Sequence, residues 1–441
     1  MALNVRPQRR QVLAGAAAMA MASGLAVAAP KRAPNVVVVL ADDLGYGDLG
    51  IQGSRLIATP HLDRLAREGV RMTDFYASAN VCTPSRAGLQ TGRYPIRTGL
   101  AWQVIQPNDT NGLPLSEITI AEALKPDYTT ALIGKWHLGH VAPFWPPTRH
   151  GYDLFFGLPY SHDMKPLALY SATPGVELTK EDVDFPHLTQ RFFDRGLTFI
   201  EDNRARPFFL LLALSAPHLP LAPNPDHAGH SQAAAYGDVV EEVDSQVGRL
   251  MARLKALGLD QDTVVIVTSD NGPWFEGSTG GLRDRKGGAG WEGGYRVPFL
   301  VRAPGRIPAG RVSREIGMNI DLLPTILALA GKPLPKTQID GRDLTAVLTR
   351  GAKSPHDELI LFNNEKVAGL RTDRWKYVAR SYYRGTEYPL SVINSELLFD
   401  IRADPSEAYN LASLHPDVVA DMRNRLQRAQ ATFEPLAVHK S

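Results

Sequence analysis

Two oxygen-rich pairs and one thiol stand out for the chemistry they offer. Asp42-Asp43 and Asp270-Asn271 supply hard oxygen donors, and adjacent carboxylates repel each other, so a site holding them invites a cation. An all-oxygen set favours Ca2+ or Mg2+ over zinc, which prefers histidine and cysteine. Cys82 is the only cysteine of the chain, so an intramolecular disulfide is excluded. It lies in Asn80-Val81-Cys82-Thr83-Pro84-Ser85-Arg86, where a loop opens a helix with Pro84 near the first helical position. A helix N-terminus offers unpaired N–H groups and positive partial charge, which suits an anionic substrate. Taken singly, each pair also reads as an ordinary turn or cap, and the thiol as a buried, inert cysteine.

The segments that carry these residues share one design. Asn35–Ala41 is an apolar, β-branched run ending in Asp42-Asp43; Phe208–Leu214 ends in Ser215-Ala216-Pro217-His218; Thr263–Thr268 ends in Ser269-Asp270-Asn271-Gly272. Unbroken apolar runs of this length predict strands buried on both faces, hence parallel strands covered by helices. Ligands of open α/β sheets bind beyond the carboxyl ends of the strands, so the three polar clusters are expected to meet at one site. Helices fit between them: Thr59–Gly69 has a capping Thr, Pro60 and a terminal Gly, and Tyr236–Leu257 carries Val239, Val243, Val247, Leu250 and Leu254 at helical spacing.

Composition bounds the class. The 441 residues are 44% hydrophobic and 21% charged with a formal net charge of +2, a balance for a large soluble core and no nucleic-acid surface. Residues 1–29 read as a signal peptide: Arg6, Arg9 and Arg10, an apolar stretch from Val12 to Ala29, and a small-x-small site at Ala26-Val27-Ala28. Arg9-Arg10 resembles a twin-arginine signal. The stretch is short and weakly apolar for a membrane anchor, so export to a bacterial periplasm, or secretion, without stable membrane insertion is expected. Residues 34–352 are then expected to form an α/β domain with a large mixed, mostly parallel sheet between helices. The polar stretch Lys353–Asp357 reads as a linker, and residues 353–441 as a smaller part. Short strands at Glu358–Phe362, Val367–Arg371, Trp375–Val378 and Leu397–Asp400, then a helix over Pro416–Phe433, predict an antiparallel sheet with one packed helix.

The Cys82-x-Pro84-x-Arg86 string resembles the signature of the type I, formylglycine-dependent sulfatases of the alkaline phosphatase superfamily, arylsulfatase A-like in pattern. Further motifs carry the likeness from about Pro34 to Leu411. Gly134-Lys135-Trp136-His137-Leu138-Gly139 resembles the second sulfatase signature. Asn35–Gly47 and Ser269–Gly272 resemble its two metal-binding segments. Leu282–Gly287 with Trp291–Gly294 resembles the lysine-bearing loop, and Leu398-Phe399-Asp400 to Asn410-Leu411 the C-terminal motif. Asn80 and Gln90 depart from the usual residues flanking the cysteine motif, without touching Cys82, Pro84 or Arg86.

The resemblance implies the following roles. Cys82 is oxidised by a formylglycine-generating enzyme to an aldehyde whose hydrate is the nucleophile. Asp42, Asp43, Asp270 and Asn271, with the residue made from Cys82, hold Ca2+, Mg2+ being the alternative. Arg86 holds the hydrate; Lys135, His218 and Lys286 bind the sulfate oxygens and the leaving-group oxygen. His137 takes a proton from the covalent intermediate, and Ser161 matches a substrate-site serine. A sulfate monoester repels nucleophiles, so a metal and several cations must offset its charge. His61, His140, His150, His187, His227 and His230 are expected at ordinary structural positions, while His162 is open between pocket and core. Trp102, Trp136, Trp145 and Trp274 are open between core and pocket wall. The substrate is a small-molecule or glycan sulfate ester; aryl, carbohydrate and lipid sulfates stay open. Two rival readings are a phosphate or phosphonate ester hydrolase of the same superfamily and a non-catalytic sulfated-glycan-binding protein.

Overall fold

The computed structural model describes residues 1–3, 33–383, 386–393 and 395–439. The chain divides into Met1–Arg32 and Ala33–Ser441; beyond its first three residues, the expected leader lies outside the described residues. Among the described residues, ten strands form one sheet in the order Arg311–Ser313, Val70–Met72, Phe299–Arg302, Thr263–Ser269, Asn35–Ala41, Phe208–Ala213, Thr129–Lys135, Leu154–Leu158, Leu169–Ala172 and Thr179–Glu181. The five strands from Thr263–Ser269 to Leu154–Leu158 are parallel, and antiparallel strands extend the sheet at both sides. The mixed, mostly parallel sheet expected from the apolar runs is borne out. Asn35–Ala41 is central, with Val38 opposite Leu211 on one side and Ile266 on the other.

Alternation along that central strand divides the core in two. Val36, Val38 and Leu40 face a layer that includes Ala87 and Leu89, Ile120 and Leu124, and Leu323 and Ile326 from three helices. Val37 and Val39 face Leu62 and Leu65, Phe192 and Ile200, and Val243, Val247 and Leu250 from three others. Both faces of the strand are dry, which is why its middle, Val36–Leu40, could be all Val and Leu. The long helix spans Ala234–Ala256. Its Asp244 accepts from His61 N at 3.2 Å and Leu62 N at 2.7 Å, satisfying the open first turn of the helix Pro60–Arg67.

A second, antiparallel sheet orders Leu359–Asn363, Lys366–Arg371, Trp375–Val378 and Leu397–Asp400. The helix Pro416–Phe433 covers it through Val419, Met422, Leu426 and Phe433, in a core shared with Tyr76 and Met318 of a two-stranded sheet, Phe75–Tyr76 with Gly317–Met318, and with Tyr295. The expected antiparallel C-terminal sheet with one helix is therefore observed. A hairpin of Arg380–Tyr383 and Thr386–Pro389 was not foreseen. Among the described residues no helix is long and apolar enough to cross a membrane.

Candidate active site

The register of three parallel strands brings the polar clusters together. Asp42 and Asp43 leave the central strand, and Asp42 N donates to Ala216 O at 2.9 Å while Asp270 N donates to Ala41 O at 3.1 Å. The chain turns at Asp43, whose φ of 65° lies in the left-handed region that Asp tolerates better than most residues. Asp43 N donates to Asp270 Oδ1 at 3.2 Å, and Asn271 Nδ2 donates to Asp43 Oδ1 at 2.7 Å. All four side chains are buried. Asn271 Oδ1 has no hydrogen-bond partner, and ligand atoms of Asp42, Cys82 and Asp270 lie within 4.8 Å of one another. A buried, oxygen-rich set with an unpaired carbonyl oxygen fits a hard divalent cation.

Cys82 opens the helix Cys82–Thr91, with Val81 as its cap. Cys82, not Pro84, takes the first helical position; Pro84 follows within the same first turn, where its missing N–H costs no helical bond. Every residue of this helix is buried. Cys82 Sγ donates to Asp42 Oδ1 at 3.5 Å. One turn on, Arg86 Nε donates to Asp270 Oδ2 at 2.9 Å and Nη1 to the Lys135 carbonyl at 3.0 Å. Its Nη2 lies 2.9 Å from Asp270 Oδ2 and 3.4 Å from Asp42 Oδ1, in ion-pair contact without hydrogen-bond geometry. Asn319 Nδ2 donates to Ser85 Oγ at 2.7 Å and fixes the helix from the other side.

Five more expected residues converge here. Lys135, last residue of Thr129–Lys135, sits 2.7 Å from Asp42 Oδ2 with neither side chain exposed. Lys286 sits 2.7 Å from Asp43 Oδ2, and His218 Nε2 3.6 Å from the same oxygen. His137, at φ 60°, sets Nε2 3.0 Å from the Ile105 carbonyl. A carbonyl only accepts, so Nε2 carries the ring proton and Nδ1 is the free base. His137 Nδ1 and the buried Ser161 Oγ have no partner. A cavity of about 650 Å3 is lined by Asp43, Cys82, His137, Ser161, His218 and Lys286, with Val104, Met164, Leu219 and Trp274 on its wall.

Burial and charge set the protonation states. Burial works against the Asp42 charge, but Lys135 and Arg86 outweigh it and hold the carboxyl well below the usual range. Burial raises Asp43 despite Lys286, and raises Asp270 to about 6 despite Arg86. Burial pushes the Cys82 thiol up, despite Lys135 and Lys286. Burial, then Lys135 and Arg86, keep His137 neutral; burial also lowers His218. For Lys286, burial is outweighed by the Asp43 and Asp42 carboxylates, so it stays charged.

Known proteins resemble this chain along most of its length. The family model described as Sulfatase matches residues 34–332. The chain belongs to the sulfatase family. A second model, described as N-sulphoglucosamine sulphohydrolase, C-terminal, matches residues 289–432. Arylsulfatase A of Bos taurus is 39% identical over 439 residues, covering 89% of this chain and 85% of the relative. Arylsulfatase A of Homo sapiens is 38% identical over 475 residues, covering 95% and 92%. The crystal structure of PsFucS1 sulfatase from Pseudoalteromonas sp. matches with a TM-score of 0.84 at 29% identity, covering 93% of this chain and 92% of that one. The protein is thus a type I sulfatase of arylsulfatase A-like sequence with the alkaline phosphatase-like fold, a hydrolase of sulfate esters.

In this sulfatase His162 lies behind the site: its ring meets His218 edge-on at 5.7 Å and Nε2 sits 3.0 Å from the Pro220 carbonyl. Trp136 is core, whereas Trp274 lines the cavity. Asn80, which departs from the family pattern, is a brace: Nδ2 donates to Gly288 O at 3.0 Å and Asn363 Oδ1 at 2.7 Å. Sequence reasoning missed Asp48. Its oxygens accept from Gly45 N and Ser278 N, each at 2.8 Å, and from the Tyr236 hydroxyl. The signal was its place in Gly45-Tyr46-Gly47-Asp48, where two glycines let the acidic loop approach the segment leading into the lysine-bearing loop; a Cβ on Gly45 would lie 2.2 Å from Ser278 O.

Proposed function

We propose that this sulfatase cleaves sulfate monoesters with a formylglycine made from Cys82 and a divalent cation, Ca2+ before Mg2+. The observation that carries the reading is the position of the single cysteine. It opens a buried helix at the cavity, 3.5 Å from Asp42 and beside Lys286, His137 and His218. Asp42, Asp43, Asp270 and Asn271 would hold the cation, which when bound supplies a concentrated positive charge for the ester oxygens and for residue 82. Once oxidised, residue 82 supplies a hydrated aldehyde, with one hydroxyl to attack sulfur and a second to release sulfate.

The remaining work falls to the other side chains. Lys135, Lys286 and His218 bind the sulfate oxygens and the leaving-group oxygen, offsetting charge that grows on the alcohol oxygen as the ester bond breaks. Arg86 holds the hydrate of residue 82 while it also fixes Asp42 and Asp270. His137 Nδ1 accepts the proton from the second hydroxyl; the neutral ring and its unpaired nitrogen support that role. Ser161 Oγ, buried and unpaired, orients the ester.

Maturation needs a formylglycine-generating enzyme, and the Arg9-Arg10 leader supports export to the periplasm. Residues 34–352 act as the catalytic part and 353–441 as its smaller companion. Turnover of 4-nitrophenyl sulfate tests the reading, using protein produced with a maturation enzyme. Cys82→Ala is expected to abolish turnover. Stripping divalent cations is expected to suppress it, and added Ca2+ to restore it. Full turnover by Cys82→Ala would contradict the assignment.

A further inference from the structure

The cavity is charged at its anion end and aromatic at its rim. Trp274 lines it and is 41% exposed; its neighbour Phe275 is 67% exposed. Exposing two adjacent large rings to water is unfavourable, and on a monomer surface such patches mark binding sites. These rings are also held in place. They meet edge to face at 4.8 Å, the Arg285 guanidinium sits 4.8 Å over the Phe275 ring, and Arg285 Nη1 donates to Trp274 O at 3.2 Å. Lys286 N donates to Pro273 O at 3.0 Å, so the backbone carrying Trp274 is tied to the backbone carrying the lysine that contacts Asp43. The distance from aromatic rim to anion end is thereby fixed by a short stretch of chain.

We propose that Trp274 is the specificity-determining residue on the alcohol side, a platform against which a ring of the leaving group stacks while its sulfate enters the charged end. The ligand chemistry is a sulfate ester borne on a ring with a flat apolar face. An aryl ring and the apolar face of a pyranose both satisfy it; a flexible alkyl chain does not. Leu219 and Met164 complete an apolar wall. Phe275 and Arg285 are positioning residues, which hold the indole at the rim. The inference rests on the sulfate-ester reading of the charged end.

The test compares Trp274→Ala and Trp274→Phe with the parent enzyme on 4-nitrophenyl sulfate and on a monosaccharide O-sulfate, with inorganic sulfate as a competitive inhibitor. The expected result is a rise in KM of about tenfold for Trp274→Ala, the size of one ring contact, and a smaller rise for Trp274→Phe. Inhibition by inorganic sulfate, which reads the charged end alone, is expected to stay unchanged and shows that the variant is folded. A KM change with the aryl ester alone identifies an aryl platform, and a change with the sugar alone a saccharide platform. Unchanged KM for both esters overturns the inference. Loss of sulfate inhibition in the parent enzyme instead overturns the reading of the charged end.

Discussion

Lys376 of the small C-terminal sheet and Glu292, which opens the short helix Glu292–Tyr295, meet at 2.7 Å with neither side chain exposed. Glu407 of the C-terminal motif lies 3.2 Å from the same ammonium, and its Oε2 accepts from Glu292 N at 2.8 Å. The cluster continues through Tyr76, whose hydroxyl donates to Glu292 Oε2 at 2.7 Å, and through Arg371, which donates to that hydroxyl at 2.8 Å and pairs with Asp74 at 2.8 Å. Arg283, three residues before Lys286, donates to Glu407 O at 3.1 Å. The small sheet therefore anchors the segment that presents Lys286 to the cavity.

Removing Lys376 takes from Glu292 and Glu407 the buried cation that they share. Lys376→Met is expected to destabilise the protein by about 3–5 kcal/mol in chemical denaturation. Lys376→Met with unchanged stability would contradict the anchoring role.

Asp48 joins three elements: the acidic loop through Gly45 N, the segment leading into the lysine-bearing loop through Ser278 N and the long helix through Tyr236. Losing it frees the Asp43 loop to move relative to Lys286, and a misplacement of that kind costs on the order of 100-fold in rate. Asp48→Ala is expected to lower kcat by about that factor with a native circular dichroism spectrum. Asp48→Asn, which keeps one acceptor oxygen, should recover part of it. Equal rates for the parent and Asp48→Ala would remove Asp48 from the account.

His137 is held neutral with Nδ1 unpaired, so it is ready to accept a proton. His137→Ala is expected to lower kcat by about 10²–10⁴-fold while inorganic sulfate still inhibits. A variant that lost sulfate binding but kept kcat would assign the ring to substrate holding instead.

Stability should also vary with pH through Glu242 of the long helix. Burial raises its carboxyl from the ordinary 4.5 to about 7, and its Oε1 has no partner. The folded state thus holds the proton more tightly than the unfolded chain. That contribution is complete below about pH 4.5 and is lost as the pH rises through about 7. Glu242→Gln, which keeps an acceptor for Asn224 N, is expected to be more stable than the parent at pH 8 by about 3 kcal/mol and to lose that advantage near pH 4.5. An advantage that grows on acidification would contradict the assignment.

The parts of the fold that were legible are those written locally. Val36–Leu40, Phe209–Leu212 and Val264–Val267 are buried on both faces, so their composition announced parallel strands, and the residues after each strand announced the site. Thr129–Lys135, which delivers Lys135, begins with two threonines and contains Gly134, and its place beside Phe208–Ala213 came from pairing rather than from pattern. The lysine was visible only in its motif. The bracing was hidden for a different reason. Asp48 with Ser278, Asn80 with Asn363 and Glu292 with Lys376 are contacts between distant positions, and a buried charge or amide in sequence does not name its partner. Trp274 was visible as an aromatic, but only its exposure at the cavity separates wall from core.

The formylglycine reading is tested most sharply by mass spectrometry of the tryptic peptide Met72–Arg86, from preparations matured to different extents and assayed in parallel with 4-nitrophenyl sulfate. Specific activity is expected to rise in proportion to the fraction of peptide carrying an aldehyde in place of the Cys82 thiol. Full activity in a preparation whose peptide carries only the unmodified thiol would contradict it.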